Sequence, residues 1–213
     1  MAAQFFGALT AAGISFALYR DAILHLDGAL LRSSTGITFY TQPKTWVSPT
    51  TAFFNELVAT TILGCAIIAL GDDTNAPPGA GMHAFIIGLV VFVLDTAFSP
   101  NTSACLNPTR DLAPRIVASM AGYGREVWTD ANWWWIWGPW CADITGCILG
   151  AFCYDVLIFV GSESPVNYPK LRRKKTKVGF KVRWGKRIGR AATVVRGWEK
   201  EEDDLETELQ NYT

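Results

Sequence analysis

Residues 106–115, with the sequence LNPTRDLAPR, lie between two apolar stretches of membrane length and are themselves too short and polar to cross a bilayer. Asn107 is a favoured N-cap residue, and Pro108 suits the first helical turn because its missing N–H would have no partner there. A helix from Asn107 to about Met120 spans roughly 20 Å, well short of the ~30 Å hydrocarbon core. The sequence therefore predicts a re-entrant half-helix whose N-terminus lies at membrane depth, inside protein or beside a wet cavity.

Four other stretches predict spanning helices. The chain of 213 residues is 50% hydrophobic and 13% aromatic, and its apolar residues are concentrated in the first 160. The first stretch has no basic segment and no clear cleavage site, so we interpret it as a span and not as a signal peptide. Small residues are frequent in all four, which suits close helix packing in lipid. The predicted spans are about residues 3–19, 51–70, 81–98 and 133–160.

The cysteines predict packing and not a metal site. They lie in apolar segments without a C-x-x-C pair, and the last three recur every six residues, which distributes them around a helix. No nucleophile, base and orienting group share a segment, and no metal-ligand spacing appears. We therefore expect no enzymatic activity, no metal and no cofactor. The five cysteines are Cys65, Cys105, Cys141, Cys147 and Cys153.

Charge is divided unevenly and predicts the orientation in the membrane. Thirteen of the nineteen Lys and Arg residues lie within 170–200, and the block KLRRKK at 170–175 follows the last predicted span. Positive residues favour the cytoplasmic side, so the C-terminus is predicted to be cytoplasmic. Four spans return the chain to its starting side, which places Met1 in the cytoplasm and the entry of the half-helix on the outer face. The loop 71–79 carries no Lys or Arg, so it gives no independent support for this orientation.

The motif within residues 107–115, Asn-Pro followed by Arg-Asp and then Pro-Arg, resembles the second pore motif of the major intrinsic protein family, which comprises aquaporins and glycerol facilitators. Asp111 and Arg115 make the motif similar to that of the glycerol-facilitator branch. The resemblance extends over roughly residues 2–160. Residues 3–8 look like the start of the family's third helix, 54–60 like its fourth, 81–115 like its fifth with the pore loop, and 137–154 like its sixth.

The resemblance implies an all-α membrane protein with an aquaporin-like helix bundle. The family fold has six spans and two half-helices, each with an Asn-Pro motif, whereas this sequence has four predicted spans and one half-helix. The first two helices and the first Asn-Pro-Ala loop would lie before Met1, so the sequence resembles an N-terminally shortened member. The expected division is a partial channel domain at 1–162 and a cytoplasmic tail at 163–213, which is basic and then acidic and is expected to be disordered.

The pore motif is assigned to Asn107, Pro108 and Thr109. The Asn107 side chain can donate a hydrogen bond to an oxygen passing through, while the helix dipole places partial positive charge at the same point and opposes cations. Thr109 stands where the family usually has Ala. Extended backbone over residues 102–106 can offer carbonyl acceptors to water or to polyol hydroxyls.

The selectivity filter is assigned to Arg110, Asp95 and Ala104. Arg110 carries five hydrogen-bond donors and a permanent charge, which can bind hydroxyl oxygens and repel cations. Asp95 takes the position of the family's filter partner, which is commonly small or His, and an ion pair with Arg110 would either narrow the outer mouth or weaken cation exclusion. Ala104 stands where glycerol facilitators often have an aromatic residue.

Support of the pore loop is assigned to Glu56, Asp111 and Arg115. An ionisable residue such as Glu56 is costly inside an apolar span, so a dedicated role is expected. In the family the matching glutamate accepts hydrogen bonds from the backbone of the second pore loop. Asp111 and Arg115 are four residues apart on the half-helix, and their ion pair could either serve the pore or brace the loop.

The tail changes from basic to acidic along its length. Its apolar residues fit both strand alternation and one helical face between 178 and 188, so periodicity does not decide its structure. Beside a membrane, a basic stretch with aromatic residues favours binding to anionic lipid headgroups. Solvated disorder and a specific partner such as a calmodulin-like protein are the alternatives, and no nucleic-acid binding is expected.

The predicted function is a membrane channel for passive passage of water and small uncharged solutes such as glycerol. The partners would be the lipid bilayer, water and small polyols, and the family resemblance implies a homo-tetramer. The alternative is a non-conducting family member that co-assembles with longer relatives or acts as a regulatory subunit, which the missing first pore motif would explain.

Overall fold

Helices account for nearly all of the secondary structure in the computed structural model, which describes residues 2–27, 33–75, 77–79, 81–159, 164, 166–167, 169–189 and 192–210. No strand occurs within those residues. The elements are α1 (Ala2–Asp27), α2 (Ser33–Gly36), α3 (Pro49–Leu70), α4 (Met82–Thr102), α5 (Pro108–Ala121), α6 (Glu126–Trp135), a π-helical segment (Ile136–Ala142), α7 (Asp143–Leu157), α8 (Pro169–Arg187) and α9 (Ala192–Gln210).

Four helical stretches are long and apolar enough to span a bilayer. They are α1, α3, α4 and the continuous stretch Glu126–Leu157, with 26, 22, 21 and 32 residues. At ~1.5 Å per residue, even the shortest reaches about 30 Å, the thickness of the hydrocarbon core. These helices overlap the four predicted spans, although α1 continues to Asp27 where the prediction ended at 19, and the last stretch begins at Glu126 where the prediction began at 133. Residues 160–163 are outside the described part, so the predicted end of the last span at 160 and the predicted domain boundary at 162/163 are not described.

The half-helix is α5, and the predicted N-cap is confirmed. The Asn107 side chain accepts a hydrogen bond from the Thr109 N–H at 2.9 Å, and Pro108 occupies the first helical turn. The helix ends at Gly122, whose φ of 107° lies in the left-handed region that glycine adopts without strain. The 14 residues of α5 therefore cover about 21 Å at ~1.5 Å each, as a half-helix requires.

The last span is interrupted at its beginning. Residues 131–133 lie inside α6 and have φ values of 49°, 54° and 62°, so the chain turns sharply within α6 before the apolar part of the span. The π-helical segment follows and contains Gly138 and Pro139. Pro139 has no N–H to donate, which breaks the regular α-helical bonding and permits a wider turn. The Trp134 ring lies over Gly138, where a Cβ atom would approach it to 2.6 Å.

Glycines on α7 allow a close approach to α3. A Cβ atom at Gly146 would lie 2.6 Å from the Leu57 carbonyl oxygen, and one at Gly150 would lie 2.2 Å from the Thr61 carbonyl oxygen. Backbone therefore packs directly on backbone, as is typical of small residues four apart in membrane helices. This contact fixes the last span against α3, the helix that carries Glu56.

We predict that Gly150→Ala lowers the free energy of unfolding by ~1–3 kcal/mol, because the added methyl group overpacks the contact with α3. The matched control is Gly88→Ala on α4, where a Cβ atom would have no neighbour within 4 Å. Alanine is the better helix former, so the control is expected to raise stability by ~0.5–1 kcal/mol. Thermal unfolding in detergent, followed by tryptophan fluorescence, measures both changes, and equal melting temperatures for the two variants would contradict the prediction.

The tail is helical and not disordered where the structure describes it. Helices α8 and α9 pack against each other through a buried cluster of Val178, Val182, Val195 and Leu205, with Trp198 against it. The Trp198 ring lies over Gly185, where a Cβ atom would approach it to 2.7 Å. The disorder alternative is therefore wrong for residues 169–187 and 192–210, because the apolar residues of the basic helix are covered by those of the acidic helix. This pairing cannot be seen in either segment alone.

The chain divides into two compact units. One comprises residues 1–71 and 78–151, and holds the half-helix and most of the apolar helices. The other comprises residues 72–77 and 152–213. Within the second unit, the Tyr154 hydroxyl donates to the Asp72 carboxylate at 2.6 Å. Hydrogen bonds from Thr74 and Tyr154 lower the pKa of Asp72, which keeps this carboxylate charged near the end of α7.

Candidate functional site

The loop at residues 103–107, which leads into α5, is held in an unusual backbone conformation. Ser103, Ala104 and Leu106 have φ values of 70°, 43° and 58° although none is a glycine. Such conformations cost of order 1–3 kcal/mol each and persist only where surrounding contacts impose them. The loop is therefore a candidate functional segment whose shape depends on the contacts around it.

Glu56 on α3 provides the main contacts. Its two carboxylate oxygens accept hydrogen bonds from the Cys105 N–H at 3.1 and 3.0 Å, and one accepts from the Leu106 N–H at 3.2 Å. The Thr102 hydroxyl donates to the same carboxylate. Glu56 is fully buried, so these donors replace the water that an exposed carboxylate would bind. Hydrogen bonds from the loop backbone to Glu56 are what the family resemblance implies for this residue.

The carbonyl groups of the loop are left available. Within the described residues, no N–H or O–H group donates to the carbonyl oxygens of residues 103–106. Buried carbonyl groups normally find partners in the protein or in water. A loop whose N–H groups bind Glu56 and whose carbonyl groups lack protein partners can offer those oxygens to a passing hydroxyl group.

Asn107, Thr109 and Arg110 line a cavity of about 660 Å³ together with small residues of α1, among them Ala8 and Ala12. The side-chain oxygen of Asn107 accepts a hydrogen bond from the Thr109 N–H. The side-chain N–H₂ group of Asn107 therefore faces away from the helix end. The Arg110 side chain is exposed. The cavity thus has one polar wall from the start of α5 and one mostly apolar wall from α1.

The other two predicted filter residues lie elsewhere. Asp95 is exposed on α4, and its carboxylate accepts a hydrogen bond from the Ser99 hydroxyl at 3.0 Å. The described ion pairs include none between Asp95 and Arg110, so the structure does not contain the pair considered from the sequence. Ala104 is only 2% exposed and is not among the cavity residues. Of the three, Arg110 alone lies on the cavity wall in the described part of the chain.

Asp111 and Arg115 brace the half-helix. The Arg115 Nε–H donates to the Asp111 carboxylate at 2.9 Å, and both side chains are about 98% buried, with exposures of 2% and 1%. The Arg115 guanidinium also donates to the Thr41 carbonyl oxygen at 2.7 Å and to the Val127 carbonyl oxygen, and it lies over the Tyr40 ring. Of the two alternatives left open by the sequence, the structure favours bracing, because neither side chain lines the cavity.

The segment at residues 40–41, before α3, also binds the Asp111–Arg115 pair. Thr41 donates from its backbone N–H at 2.7 Å and from its hydroxyl at 2.6 Å to the Asp111 carboxylate. Burial raises the pKa of Tyr40 to about 12, so its hydroxyl group stays neutral beside the guanidinium. One ion pair thus connects α5 to the segment at 40–41 and to α6.

Sequence reasoning missed an amide network at the end of α4. The Asn55 amide donates to the Phe98 carbonyl oxygen at 3.1 Å and to the Thr102 hydroxyl at 2.7 Å, and it accepts from Asn101 at 2.9 Å. These bonds fix the last turn of α4 just before the loop. The signal was an asparagine next to Glu56 inside an apolar span, where a polar side chain requires a partner.

We predict that Asp111→Asn lowers the free energy of unfolding by ~3–5 kcal/mol, because it leaves the Arg115 charge buried without its counterion. The matched control is Asp21→Asn, which breaks the exposed pair Arg20–Asp21 at 3.8 Å. Exposed pairs contribute ~0–1 kcal/mol, so the control is expected to change little. Thermal unfolding in detergent compares the two, and a small effect of Asp111→Asn would show that the pair is dispensable.

Comparison with known proteins shows which family the chain belongs to. A model of the family described as "Major intrinsic protein" matches residues 1–154. Aquaglyceroporin-4 of Botryotinia fuckeliana is 50% identical over 197 residues, which are 92% of this chain and 27% of that protein. Probable aquaglyceroporin-4 of Gibberella zeae is 42% identical over 173 residues, 81% of this chain and 31% of that protein.

A solved structure shows the same fold. The aquaglyceroporin of Plasmodium falciparum superimposes with a TM-score of 0.62 at 28% identity, covering 72% of this chain and 61% of that one. The chain belongs to the major intrinsic protein family, whose members are channels and not enzymes. The family and the four long apolar helices make it a multi-pass integral membrane protein. It spans about a quarter to a third of the length of the curated relatives, at 27% and 31%.

Proposed function

We propose that this chain contributes the second half of a pore that passes water and small uncharged solutes such as glycerol. The observation that carries the proposal is the cavity in front of α5, which Asn107 and Arg110 line directly after a loop whose carbonyl oxygens accept no hydrogen bond from the described residues. The relatives named as aquaglyceroporins support the same solute class.

The cavity suits an amphipathic solute. A polyol carries hydroxyl groups on one side and C–H groups on the other, and it loses little hydration if both find matching walls. Asn107 and Arg110 at the start of α5 supply hydrogen-bond donors, while Ala8 and Ala12 on α1 supply an apolar wall. Solute hydroxyl groups can then exchange hydrogen bonds with the protein in place of water.

Cations are opposed at two points along this wall. The N-terminus of α5 carries the positive end of the helix dipole beside Asn107. Arg110 adds a full positive charge. At 4 Å, a unit charge opposes a cation by about 4 kcal/mol at an effective dielectric constant of 20. Neutral solutes meet no such barrier, so the site discriminates by charge.

The arrangement in the membrane follows from the tail. The basic residues after α7 favour the cytoplasmic side, which places both termini inside and the entry of the half-helix on the outer face. Assembly as a homo-tetramer is part of the same proposal and is supported by family membership.

We predict that proteoliposomes containing this chain take up glycerol faster than empty liposomes and that Arg110→Ala admits cations. Loss of about 4 kcal/mol of charge repulsion corresponds to roughly a thousandfold higher cation permeability. Asn107→Asp is expected to reduce glycerol uptake, since the carboxylate cannot donate a hydrogen bond. Stopped-flow light scattering measures glycerol uptake and a sodium-sensitive dye measures leakage.

The control for Arg110→Ala is Arg125→Ala, which removes an exposed charge outside the cavity. It is expected to leave both permeabilities unchanged. Glycerol permeability of the wild-type chain equal to that of empty liposomes would contradict conduction by this chain and favour a non-conducting, co-assembling role.

The tail supports a second function, docking on an anionic membrane surface. The face of α8 that points away from the α9 contact presents Phe180, Trp184 and Ile188, which are 66%, 48% and 47% exposed. Six exposed cations lie on that same face by helical spacing. We name this the basic aromatic face, and its cations are Lys170, Arg173, Lys174, Lys177, Lys181 and Arg187.

The position of α8 in the chain favours lipid as the partner. Only eleven residues, 158–168, separate α7 from α8, which limits the distance between the two ends to about 40 Å at ~3.6 Å per residue. The ion pairs described within the hairpin use Lys175 and Lys186, which bind Glu206 and Glu199 at 3.1 and 2.6 Å. The cations of the basic aromatic face belong to neither pair, and each adds about 1 kcal/mol of attraction to an anionic leaflet.

We predict that an environment-sensitive dye at Phe180→Cys, in a variant lacking the native cysteines, brightens when the full chain is placed in nanodiscs with phosphatidylserine. Lys177→Gln with Lys181→Gln is expected to reduce the docking equilibrium roughly thirtyfold, at about 1 kcal/mol per charge. The matched control, Lys175→Gln with Lys186→Gln, removes the same charge from the paired side and is expected to have a smaller effect. A signal that ignores phosphatidylserine but responds to an acidic calmodulin-like protein would favour the protein partner.

A further inference from the structure

Asn55 is a polar side chain inside an apolar span, and its amide group is engaged through both its nitrogen and its oxygen. It lies on α3 and is only 7% exposed. Its Nδ2 atom donates to the Phe98 carbonyl oxygen at 3.1 Å and to the Thr102 hydroxyl oxygen at 2.7 Å. Its Oδ1 atom accepts from the Asn101 side chain at 2.9 Å. All three partners belong to the end of α4, so one side chain of α3 holds the end of the neighbouring helix.

These contacts fix the direction of each hydrogen bond. A carbonyl oxygen can only accept, so the Asn55 atom that faces the Phe98 carbonyl group is the amide nitrogen. The same nitrogen donates to the Thr102 hydroxyl oxygen. The single proton of that hydroxyl group therefore remains for Glu56, to which it donates. A directed chain of hydrogen bonds thus runs from Asn55 through Thr102 to the carboxylate that binds the N–H groups of the loop.

The end of α4 needs such support because its own backbone bonding is weakened there. Pro100 lies inside the helix and has no N–H group to donate to the carbonyl oxygen of residue 96. The helix is followed directly by Ser103, whose φ of 70° lies in the left-handed region. Helix ends depend on side chains or loops to satisfy their remaining backbone groups. Asn55 is such a partner, and through Thr102 it connects the helix end to the anchor of the loop.

We propose that Asn55 is a positioning residue for the loop at 103–107, because it holds the Thr102 hydroxyl group in the orientation that donates to Glu56. Glu56 binds the N–H groups of the loop, and Thr102 sets the point at which the chain leaves α4. Asn55 is not among the described residues that line the cavity, so it acts on the loop through these two residues. The importance of this contact for permeation rests on the proposed channel function. The shape of the loop is a property of the folded chain and is tested separately.

The experiment measures how fast a maleimide reagent reacts with Cys105, which is 2% exposed in the loop. The full chain is placed in liposomes with its other four cysteines replaced by alanine. We expect slow labelling in this background and roughly tenfold faster labelling in Asn55→Leu and in Thr102→Val, since each variant leaves a buried polar group without its partner. Thr102→Ser keeps the hydroxyl group and is expected to stay slow. Circular dichroism establishes that the variants are folded.

A double-mutant cycle tests whether Asn55 acts through Thr102. A hydroxyl group that Asn55 no longer orients supports the loop less. Thr102→Val is therefore expected to accelerate labelling by a smaller factor in the Asn55→Leu background than in the background with Asn55. An equal factor in both backgrounds, or rapid labelling in Thr102→Ser, would overturn the proposal.

Two controls separate positioning from general destabilisation. Thr96→Val makes the same change on the same helix, at a hydroxyl group that donates to the Phe92 carbonyl oxygen. Gly150→Ala lowers the stability of the fold at a contact outside the loop. Both are expected to stay slow, and labelling of Gly150→Ala as fast as that of Asn55→Leu would contradict a positioning role, because Cys105 would then follow global unfolding. The expected pattern in a chain that takes up no glycerol would contradict the channel proposal and support the positioning role.

Discussion

The Glu56 carboxylate is the interaction on which the remaining site depends. A loop with three non-glycine residues at positive φ does not hold its shape by local preference, and its N–H groups are the ones that Glu56 binds. Because a buried carboxylate needs donors as much as the loop needs acceptors, the two satisfy each other. The orientation of the loop carbonyls and the start of α5 both follow from this exchange.

The surrounding structure supports that one contact from several directions. Asn55 fixes the last turn of α4, the Asp111–Arg115 pair fixes α5 against the segment before α3, and the glycines of α7 bring the last span onto α3. Each of these three supports uses polar or backbone contacts at membrane depth. Unpaired polar groups are costly there, and apolar packing alone does not fix how one helix is oriented against another.

The two compact units follow different physical rules. The first is held by polar contacts within apolar surroundings, whereas the tail hairpin is held by valine, leucine and tryptophan packing under a highly charged surface. Strong charge is therefore no sign of disorder here, because the basic and acidic helices cover each other's apolar residues. The exposed charges of α8 define the basic aromatic face. The proposed docking on lipid uses those charges and not the buried cluster between α8 and α9.

The sequence by itself determined the four apolar helices, the N-cap at Asn107 and that Glu56 has a dedicated role, because hydropathy, capping and a lone acid in a span are local signals. That this role is to bind the loop backbone was implied only by the family resemblance. Tertiary structure alone decided that Arg115 braces α5 while Arg110 faces the cavity, that Asp95 pairs with Ser99 rather than Arg110, and that the tail folds as a hairpin. These outcomes depend on which distant segments of the chain come into contact. The spacing of residues along one helix does not indicate which residues of another segment will pack against it.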